Sequence, residues 1–308
     1  MRLLLLVNTS ASSVTARGRV VIQKALSADH DVHVAETSRR GHATRLALGA
    51  VADGVDVVVV LGGDGTLNEA ANGLAGSATA LGVLPGGSTN VFARTIGLAN
   101  DPIEATGQLL AALARPSSIR NIGLASLNGR YFLFNAGVGF DAAVIAQVER
   151  WSGLKRWAGH PLFVVAGFAT WSRHYDRSRP RLAVAFADGS AIDDGYFVLA
   201  LNSDPYTFLG DRPLHIAPEA TLDRGVAALT FRTMAFAPFL RVIFAALGVG
   251  KPVRSHRKVD LRVDLGGFVV RSLGGGLPIQ VDGDYLGEVD EAVFAHEPDV
   301  LRLVMPGA

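Results

Sequence analysis

The 308-residue chain contains no cysteine. Disulfide bonds, thiolate metal sites and cysteine nucleophiles are therefore excluded, and the composition fits a reducing compartment such as the cytoplasm. Acidic and basic residues almost balance, with a formal net charge of +1, and no basic arm or lysine- and arginine-rich run is present. We therefore expect no nucleic acid partner. The eight histidines show no spacing typical of metal ligands.

Long apolar runs are also missing: none reaches the roughly 18 residues that a membrane-spanning helix needs. The run Leu3–Val7 is too short for a signal peptide, and polar Asn-Thr-Ser follows it without a cleavage-like pattern, so it predicts a first strand. Apolar residues still make up 49% of the chain, enough for the cores of one large or two medium domains. We expect a soluble protein, or one attached to a membrane only at its surface.

The most informative stretch begins with Val57–Leu61, an unbroken apolar run typical of a buried strand in a parallel sheet. Three glycines then allow a sharp turn and leave no Cβ between the backbone and a ligand; they are Gly62, Gly63 and Gly65. From Thr66 the apolar spacing predicts a helix, which can end at Gly73 or Gly76. A strand, a glycine turn and a helix start together form a typical phosphate-binding site.

Asp64 is unexpected in such a turn, because a carboxylate repels phosphate. Two functional interpretations are open: Asp64 holds Mg²⁺ between phosphates, or it orients and deprotonates a hydroxyl that attacks the terminal phosphoryl group. The structural alternative is a turn aspartate that caps the helix beginning at Thr66. The position of Asp64 after a buried strand and before an apolar helix favours phosphate chemistry. Neither a Walker A loop nor the dinucleotide glycine spacing fits the residues that follow.

Strands and helices alternate over the first part of the chain, which predicts an α/β domain with a parallel sheet. The predicted strands are Leu3–Val7, Asp31–Glu36, Val57–Leu61 and Ala80–Leu84, and the predicted helices are Val14–Leu26, Gly41–Ala52, the helix from Thr66, Val91–Ile96 and Asp101–Ala114. Four loops rich in hydroxyl groups or glycine follow the strands, at Asn8, Thr37, Gly62 and Gly86. Since the carboxyl ends of parallel strands share one edge of a sheet, these loops predict a nucleotide or phosphorylated ligand there.

After Pro116 the pattern changes to short strands punctuated by glycine and aspartate, which predicts an antiparallel sandwich or barrel. The predicted strands are Tyr131–Phe134, Arg181–Phe186, Tyr196–Leu201, Val226–Phe231, Val259–Val263, Phe268–Ser272 and Ile279–Val281, with helices at Ala142–Arg150, Pro161–Arg173 and Ala237–Leu247. A boundary near Asn121 gives two predicted domains, 1–121 and 122–308. The final strand, Val300–Val304, could belong to either domain.

Two stretches of the second domain are candidates for lipid contact. One runs from Trp151 through Phe168 and Trp171 to His174, and the other from Phe236 to Lys258. In both, aromatic and aliphatic residues are followed by cations, a combination that suits an anionic bilayer surface. The alternative is that both helices pack their apolar faces against the sandwich, as amphipathic helices usually do.

Several segments together resemble the diacylglycerol kinase catalytic-domain family, which includes bacterial lipid kinases and the sphingosine and ceramide kinases. They are Leu61–Glu69, Leu84–Arg94, Asn135–Asp141, Asn202 with Pro218, and Val281–Asp284. The first segment is shared with NAD kinases and phosphofructokinases, whereas the second segment and the spacing between the two are typical of lipid kinases. The resemblance implies an NAD kinase-like nucleotide domain followed by a β-sandwich domain that receives the lipid.

The resemblance also implies ATP and Mg²⁺ as cofactors and assigns site residues. The positions similar to the family's nucleotide contacts are Asn8, Thr9, Ser10, Ala11, Ser12, Thr37, Gly62, Gly63, Asp64, Gly65, Thr66, Leu67, Asn68, Glu69, Gly87 and Ser88. The family's Asp-Gly-Glu motif, whose carboxylate accepts a proton, matches Asp282-Gly283-Asp284. Asp284 is thus the implied general base, one methylene shorter than the family's glutamate, and Asp64 is the second implied catalytic acid.

The chain departs from the family pattern at further positions besides Asp284. The first loop has Thr9 and Ser12 where the family has proline and glycine, and Val91 stands where the family often has aspartate. Some members bind a structural Mg²⁺ through an aspartate at the position of Arg224. Here Asp223, one position earlier, is the remaining candidate for that metal ligand.

The resulting expectation is an ATP- and Mg²⁺-dependent lipid kinase that phosphorylates a hydroxyl, with diacylglycerol giving phosphatidic acid in phospholipid biosynthesis. The expected location is the cytoplasm, with peripheral attachment to a membrane, and a homodimer is compatible with this assignment. Two alternatives stay open: a kinase of a soluble substrate, similar to NAD kinase, and a lipid-binding protein without catalysis. Val91 and Arg224 are the residues that keep the second alternative open.

Overall fold

The computed structural model describes residues 1–150 and 165–307, which form two units. The first unit comprises Met1–Leu124 together with the residues from Pro298 onward, and the second comprises Ala125–Glu297. Two strands, β5 (Ile119–Leu127) and β18 (Glu291–Val304), contain the points where the chain passes from one unit to the other. The predicted fold class, an α/β protein with a parallel sheet followed by antiparallel sheets, is confirmed.

The first unit is built on a parallel sheet in the order β2-β1-β3-β4, with the last residues of β18 alongside β4. Its four complete strands are β1 (Arg2–Val7), β2 (Asp31–Glu36), β3 (Val57–Gly62) and β4 (Ala80–Pro85). Every residue of β3 and β4 is buried, as expected for apolar strands inside a parallel sheet. The carboxyl ends of the four strands, which carry the glycine and hydroxyl loops, lie along one edge.

Five helices complete the first unit, and α1 packs against α5 while α2 packs against α3. They are α1 (Ala16–Ser27), α2 (His42–Ala52), α3 (Asp64–Leu74), α4 (Val91–Thr95) and α5 (Pro102–Leu113). Helix α1 begins two positions later than predicted, because Thr15 is its N-cap and accepts a hydrogen bond from the N–H of Gly18 at 3.0 Å. In α5, the side chain of Asp101, which was predicted to be the first helical residue, instead caps the first turn, and Pro102 occupies the first helical position.

The bounds of α3 differ from the prediction at its start. The helix begins at Asp64 rather than Thr66, with Gly63 in an extended conformation as the N-cap. Of the two glycines predicted to end it, Gly73 lies inside the helix, where a Cβ would come within 2.7 Å of the Thr44 carbonyl oxygen in α2. Gly73 therefore permits close helix packing, while Gly76, at φ 74°, follows the end of the helix.

Two antiparallel sheets of the second unit share one apolar core, so this unit is a sandwich rather than a barrel, and a β11–β12 hairpin forms a separate small sheet. One sheet has the order β14-β13-β10-β7-β16-β17, and the other joins β18-β15-β8-β9 with the β5–β6 hairpin. The strands are β6 (Arg130–Phe132), β7 (Asn135–Val138), β8 (Leu182–Phe186), β9 (Ala191–Gly195), β10 (Phe197–Leu201), β11 (Thr207–Leu209), β12 (Arg212–Leu214), β13 (Val226–Phe231), β14 (Val259–Leu265), β15 (Gly267–Ser272), β16 (Leu277–Val281) and β17 (Asp284–Val289).

The described part of the second unit includes the helices α6 (Phe140–Arg150) and α7 (Phe236–Ala246). A helical stretch at 165–169 continues into a wider turn at Thr170–His174. The first fourteen residues of the predicted lipid-contact stretch that begins at Trp151, and the start of the predicted helix Pro161–Arg173, lie outside the described residues. Within residues 1–150 and 165–307, no helix combines the length and the apolarity that crossing a bilayer requires.

Candidate active site

The two glycine motifs of the first unit touch through their backbones. A Cβ on Gly86 would lie 2.8 Å from both N and Cα of Gly62, and a Cβ on Gly87 would lie 2.9 Å from Cα of Gly63. The N–H of Gly86 donates to the carbonyl oxygen of Gly62 at 2.8 Å. Glycine is required at 86 and 87 because another backbone already occupies the place of the side chain. Sequence reasoning assigned the glycines to ligand approach only, and it missed this contact.

The first loop is tied to both glycine motifs. The side-chain amide of Asn8 donates to Thr66 Oγ1 at 2.8 Å and its oxygen accepts from the N–H of Ser10 at 3.0 Å. The N–H of Ser13 donates to the Gly86 carbonyl at 2.9 Å. The structure thus brings Asn8 together with Thr66, as predicted for residues of one site. Other predicted residues of these loops present exposed hydroxyls; they are Thr9, Ser10, Ser12 and Ser88.

Asp64 is half-buried, and its carboxylate accepts hydrogen bonds from the first backbone N–H groups of α4. The N–H of Val91 donates to Oδ2 at 3.0 Å and the N–H of Phe92 donates to Oδ1 at 3.2 Å. Burial raises the pKa of Asp64 above its ordinary value, while these hydrogen bonds act in the opposite direction. Asp64 therefore caps the start of the neighbouring helix α4, a contact that the structural alternative drawn from the sequence did not include.

Three further predicted contacts lie on α3 beyond its first turn. The side chains of Leu67 and Asn68 are buried in the packing of the helix. The carboxylate of Glu69 accepts from the N–H of Gly41 at 2.7 Å and from the N–H of Ala43 at 3.1 Å, at the start of α2. Glu69 is thus engaged at a helix N-terminus, where a negative charge is favourable. The nucleotide contacts assigned to these three residues stay predictions.

Asn90 holds the second glycine motif in shape, a role that sequence reasoning did not assign. It is buried with φ 51°, in the left-handed region that asparagine tolerates better than most residues. Its side-chain oxygen accepts from the N–H of Gly87 at 2.7 Å, and its amide donates to the Gly87 carbonyl at 2.9 Å. The Gly-Gly-Ser-Thr-Asn order of the motif was the signal, since asparagine closes such turns through its own side chain.

The start of α3 is suited to an anion. Its N-cap, Gly63, makes no side-chain capping bond, and the first N–H groups of a helix lack partners within the helix. In the same unit, a pocket of about 380 Å³ adjoins the first loop, within the range of ligand pockets; its lining includes Ser13, Thr15, Leu61, Asn100 and Asp101. The Thr37 loop follows β2, and the N–H of Thr37 donates to the Val7 carbonyl at the end of β1.

In the second unit, the aspartate of the Val-Asp-Gly-Asp motif that precedes Asp284 is a structural anchor. Asp282 is buried at 5% exposure, and its carboxylate accepts from the N–H groups of Leu133, Phe134 and Asn135 at 2.7, 3.1 and 3.1 Å. Asp282 and Gly283 both have positive φ, at 47° and 82°, and form a tight turn. The turn before Asp284 is therefore fixed to the segment between β6 and β7.

Polar side chains from the other recognised segments meet beside this turn. Gln280 donates from Nε2 to Asn135 Oδ1 and to Asp141 Oδ2, both at 2.8 Å, and its oxygen accepts from the N–H of Gly283 at 2.9 Å. The hydroxyl of Tyr206 donates to Asp141 in a short hydrogen bond. Burial raises the pKa of Asp141, and the hydrogen bonds from Tyr206 and Gln280 offset part of the rise. Sequence reasoning named Asn135 and Asp141 but missed Gln280 and Tyr206.

Asp284, the implied general base, begins β17 and is half-buried. Its Oδ2 lies 3.4 Å from Nη2 of Arg130. Arg130 follows the two-residue loop Asn128-Gly129, in which both residues have positive φ. Asn-Gly between two apolar strands is a strong hairpin signal, and it could have placed Arg130 at the start of a strand from the sequence alone.

The described residues contain no group of three or more histidine or acidic side chains that could hold a metal ion. Asp223 therefore has no described acidic cluster to complete a structural Mg²⁺ site, and its assignment stays a prediction. Val91, which stands where the family often has aspartate, has a buried side chain and contributes its N–H to Asp64. An Mg²⁺ ion bound with a nucleotide needs only one or two protein carboxylates, because phosphates supply other ligands.

Sequence comparison finds relatives over most of the chain. The diacylglycerol kinase catalytic domain matches residues 2–122. Diacylglycerol kinase of Bacillus subtilis is 29% identical over 290 residues, covering 93% of this chain and 89% of that protein. A Chromohalobacter salexigens protein named "Probable lipid kinase YegS-like" is 33% identical over 216 residues, covering 68% of this chain and 65% of that protein.

Solved structures share the fold. A diacylglycerol kinase from Bacillus anthracis aligns with a TM-score of 0.72 at 19% identity, covering 99% of this chain and 97% of that one. Yeast NADH kinase aligns with a TM-score of 0.53 at 11% identity over 99% of this chain and 83% of the other. These likenesses show the fold alone, whereas the domain match and the names of the sequence relatives bear on the family. Residues 2–122 are thus identified as a diacylglycerol kinase catalytic domain.

Proposed function

We propose that the protein transfers the γ-phosphoryl group of ATP to the hydroxyl of diacylglycerol, producing phosphatidic acid and ADP. The names of its relatives support the reaction class, since they include diacylglycerol kinase and a YegS-like lipid kinase. In this proposal, residues 1–121 are the nucleotide domain and residues 122–308 the lipid-substrate domain, except that the last strand pairs with β4 of the first unit.

The observation that carries the proposal is the backbone contact between the two glycine motifs at the start of α3. The Gly62–Gly86 and Gly63–Gly87 contacts leave bare backbone beside a helix N-terminus, where phosphate groups bind well. Asn8 and Thr66 hold the first loop against this helix. We assign the β- and γ-phosphates to the amides of this turn, with the exposed hydroxyls of Thr9, Ser10, Ser12 and Ser88 around them.

In the proposed reaction, Asp284 accepts the proton of the lipid hydroxyl as its oxygen attacks the γ-phosphorus. The bond between the γ-phosphorus and the bridging oxygen breaks, and ADP leaves with that oxygen. Arg130, 3.4 Å from Asp284, holds the carboxylate in place. Most of the rate acceleration in such reactions comes from positioning and charge stabilisation.

Asp64 is the acid that adjoins the glycine turn, so we assign it to a Mg²⁺ ion bound with the nucleotide. Two of its lone pairs accept backbone N–H groups, and others are left for a cation. Bound Mg²⁺ would supply charge neutralisation on the phosphates. The hydrogen bonds from Val91 and Phe92 fix the orientation of the carboxylate without any metal.

The experiment is incubation of the purified protein with γ-labelled ATP and a panel of acceptors: diacylglycerol, ceramide and monoacylglycerol in mixed micelles, and NAD in solution. We expect the label in phosphatidic acid, and we expect its loss when Mg²⁺ is removed. Label in NADP instead of a lipid would make the protein a kinase of a soluble substrate. Transfer to no acceptor, with the protein folded, would make it a lipid-binding protein without catalysis.

The proposed substrate also determines where the protein works. Diacylglycerol is confined to bilayers, so a chain without a described spanning helix must approach it from the water phase. We therefore propose a cytoplasmic protein with peripheral membrane association and a role in phospholipid biosynthesis, as a monomer or a homodimer. Flotation of the protein with liposomes and light scattering in solution test these two points.

A further inference from the structure

Helix α7 is apolar except at Arg241, yet only one side of it packs into the core. Phe239, Val242 and Ala246 are the residues that pack into the core of the second unit. Phe236 and Phe244, two turns apart on another side, are 48% and 52% exposed. Large apolar side chains that are exposed next to one another mark an interaction surface, so the outer side of α7 needs a partner.

The exposed apolar surface extends beyond α7 to the stretch at 165–171. The ring of Trp171 lies 5.2 Å from that of Phe236 and 6.2 Å from that of Phe168, which is 61% exposed. The indole N–H of Trp171 donates to the Met234 carbonyl at 3.1 Å, and the guanidinium of Arg177 lies 3.8 Å above the Trp171 ring. We call the side chains of Phe168, Trp171, Phe236 and Phe244 the aromatic surface.

Cations predominate in the sequence segment that contains α7. No aspartate or glutamate occurs in the sequence between Asp223 and Asp260, although the whole chain is almost neutral. The segment after α7 carries exposed cations at Lys251, Arg254 and Arg257, and Val253 packs in the same apolar cluster as Val242 and Ala246. Arg254 pairs with Glu219, so the argument depends on Lys251 and Arg257.

We propose that the aromatic surface, with Lys251 and Arg257 beside it, docks on an anionic lipid bilayer. Exposed phenylalanine and tryptophan insert at the boundary of headgroups and acyl chains, and each nearby cation adds attraction to anionic lipid. A second copy of the chain docked on the same surface would bring Lys251 and Arg257 toward the same cations of its partner, whereas anionic lipid complements them. The docking surface is the side of the proposed lipid kinase that faces the membrane. Binding to the bilayer does not require kinase activity, and only its biological purpose rests on the proposed function.

The test measures partition onto vesicles without any nucleotide. Vesicles of phosphatidylcholine alone and with phosphatidylglycerol at about a third of the lipid are floated with the wild-type protein and with Phe236→Ser/Phe244→Ser. Burying an aromatic side chain contributes about 1.5–3 kcal/mol, so we expect the double variant to partition at least tenfold more weakly. The matched control is Leu48→Ser/Ile103→Ser, which removes two side chains of the first unit that are 54% and 50% exposed, and which should partition like the wild type.

The charge part of the proposal has its own variant. Lys251→Gln/Arg257→Gln should weaken partition onto phosphatidylglycerol-containing vesicles about fivefold per charge and leave partition onto phosphatidylcholine unchanged. Arg17→Gln/Lys24→Gln, on exposed positions of α1, is the control. Added salt should reduce the wild-type preference for anionic vesicles and not that of the lysine and arginine variant.

Three outcomes would overturn the docking surface: equal partition of the wild type and the phenylalanine double variant, no partition of the wild type, or a solution dimer that the double variant dissociates while vesicles bind neither form. The kinase proposal fails separately, through absence of phosphate transfer to lipid. Transfer to micellar diacylglycerol without vesicle docking would leave the reaction standing and remove this surface. Docking on vesicles without phosphate transfer to lipid would keep the docking surface and remove the kinase reaction.

Discussion

The two units both contain an aspartate that accepts several backbone N–H groups, but the two aspartates differ in what surrounds them. Asp64 receives two N–H groups and sits half-buried among glycine loops with exposed hydroxyls. Asp282 receives three and is buried beneath a network of Gln280, Asn135 and Asp141. The aspartate of the first unit therefore stays accessible beside its loops, whereas Asp282 is part of a buried polar network.

This difference separates anchoring from chemistry in the two motifs. In Asp282-Gly283-Asp284 the first acid is fully used by the fold, while the second is half-buried beside Arg130. The Gly-Gly-Asp-Gly motif has a single acid, Asp64. This one carboxylate must therefore both accept backbone N–H groups and take part in the proposed chemistry. We therefore expect substitutions in the second unit to separate stability from activity, and substitutions at Asp64 to change both.

The largest effect on activity should come from Asp284→Asn. Loss of a general base lowers kcat by about 10²–10⁴-fold, and the amide keeps the size of the side chain, so KM for ATP and the melting temperature should change little. Asp290→Asn, an exposed aspartate at the other end of β17, is the control. Steady-state kinetics with diacylglycerol decide the point: equal kcat for the two variants would remove Asp284 from the mechanism.

The largest effect on stability should come from Asp282→Ala. The substitution leaves three buried N–H groups without their acceptor, which should lower the free energy of unfolding by about 3–5 kcal/mol. Asp64→Ala removes the acceptor of two N–H groups at a half-buried helix start and should cost about 1–2 kcal/mol. Urea denaturation of both variants measures the difference. If the free energy of unfolding fell more in Asp64→Ala than in Asp282→Ala, Asp64 and not Asp282 would be the stronger structural anchor.

The sequence predicted the strand and helix order of the first unit well, because β3 and β4 are continuous apolar runs and each is followed by glycine. It also placed Asn8, Thr66 and the glycines at one sheet edge. What it could not give are contacts between residues far apart in the chain. Asp64 was interpreted through its own turn, yet its partners are Val91 and Phe92, and nothing in Gly-Asp-Gly indicates a helix that begins 27 residues later.

The second unit shows the same limit more strongly. Its alternating strands were predicted approximately, but β5, β7, β9, β11, β12 and β17 were missed. Strands that are short or contain small or charged residues carry little periodic signal. The Asn128-Gly129 turn was a local signal for the β5–β6 hairpin that the prediction overlooked. Gln280 and Tyr206 had no local signal at all, since a buried polar residue is recognisable only through its partners.

A smaller effect on stability, with a consequence for nucleotide binding, is expected for Gly86→Ala. The new Cβ would lie 2.8 Å from the Gly62 backbone, so the two motifs must move apart at a cost of about 1–3 kcal/mol, and ATP affinity should fall with them. Gly49→Ala is the control: nothing lies within 4 Å of that Cβ inside α2, and the variant should be about 0.5–1 kcal/mol more stable. If Gly86→Ala bound ATP as tightly as the wild type, the backbone contact between Gly62 and Gly86 would not be part of the nucleotide site.

The smallest expected effect concerns Asp141, a buried acid of the second unit, and the way in which the free energy of unfolding depends on pH. Burial raises the pKa of Asp141 in the folded state, so the unfolded chain releases this proton first as the pH rises. Between the unfolded pKa, near 3.9, and the higher folded pKa, the unfolded state binds fewer protons, and the contribution of Asp141 to stability falls by at most about 1.4 kcal/mol per pH unit.

Asp141→Asn removes that ionisation, so its free energy of unfolding should fall less steeply than that of the wild type as the pH rises through this window. The variant is less stable at low pH, because one oxygen must replace two as the acceptor for Tyr206 and Gln280, and the gap to the wild type should narrow as the pH increases. Urea denaturation at several pH values above 4 measures the gap. Asp64 also has a raised pKa and is present in both proteins, so its contribution cancels in the difference, and a gap that widens with pH would show that the Asp141 carboxylate is stabilised in the fold.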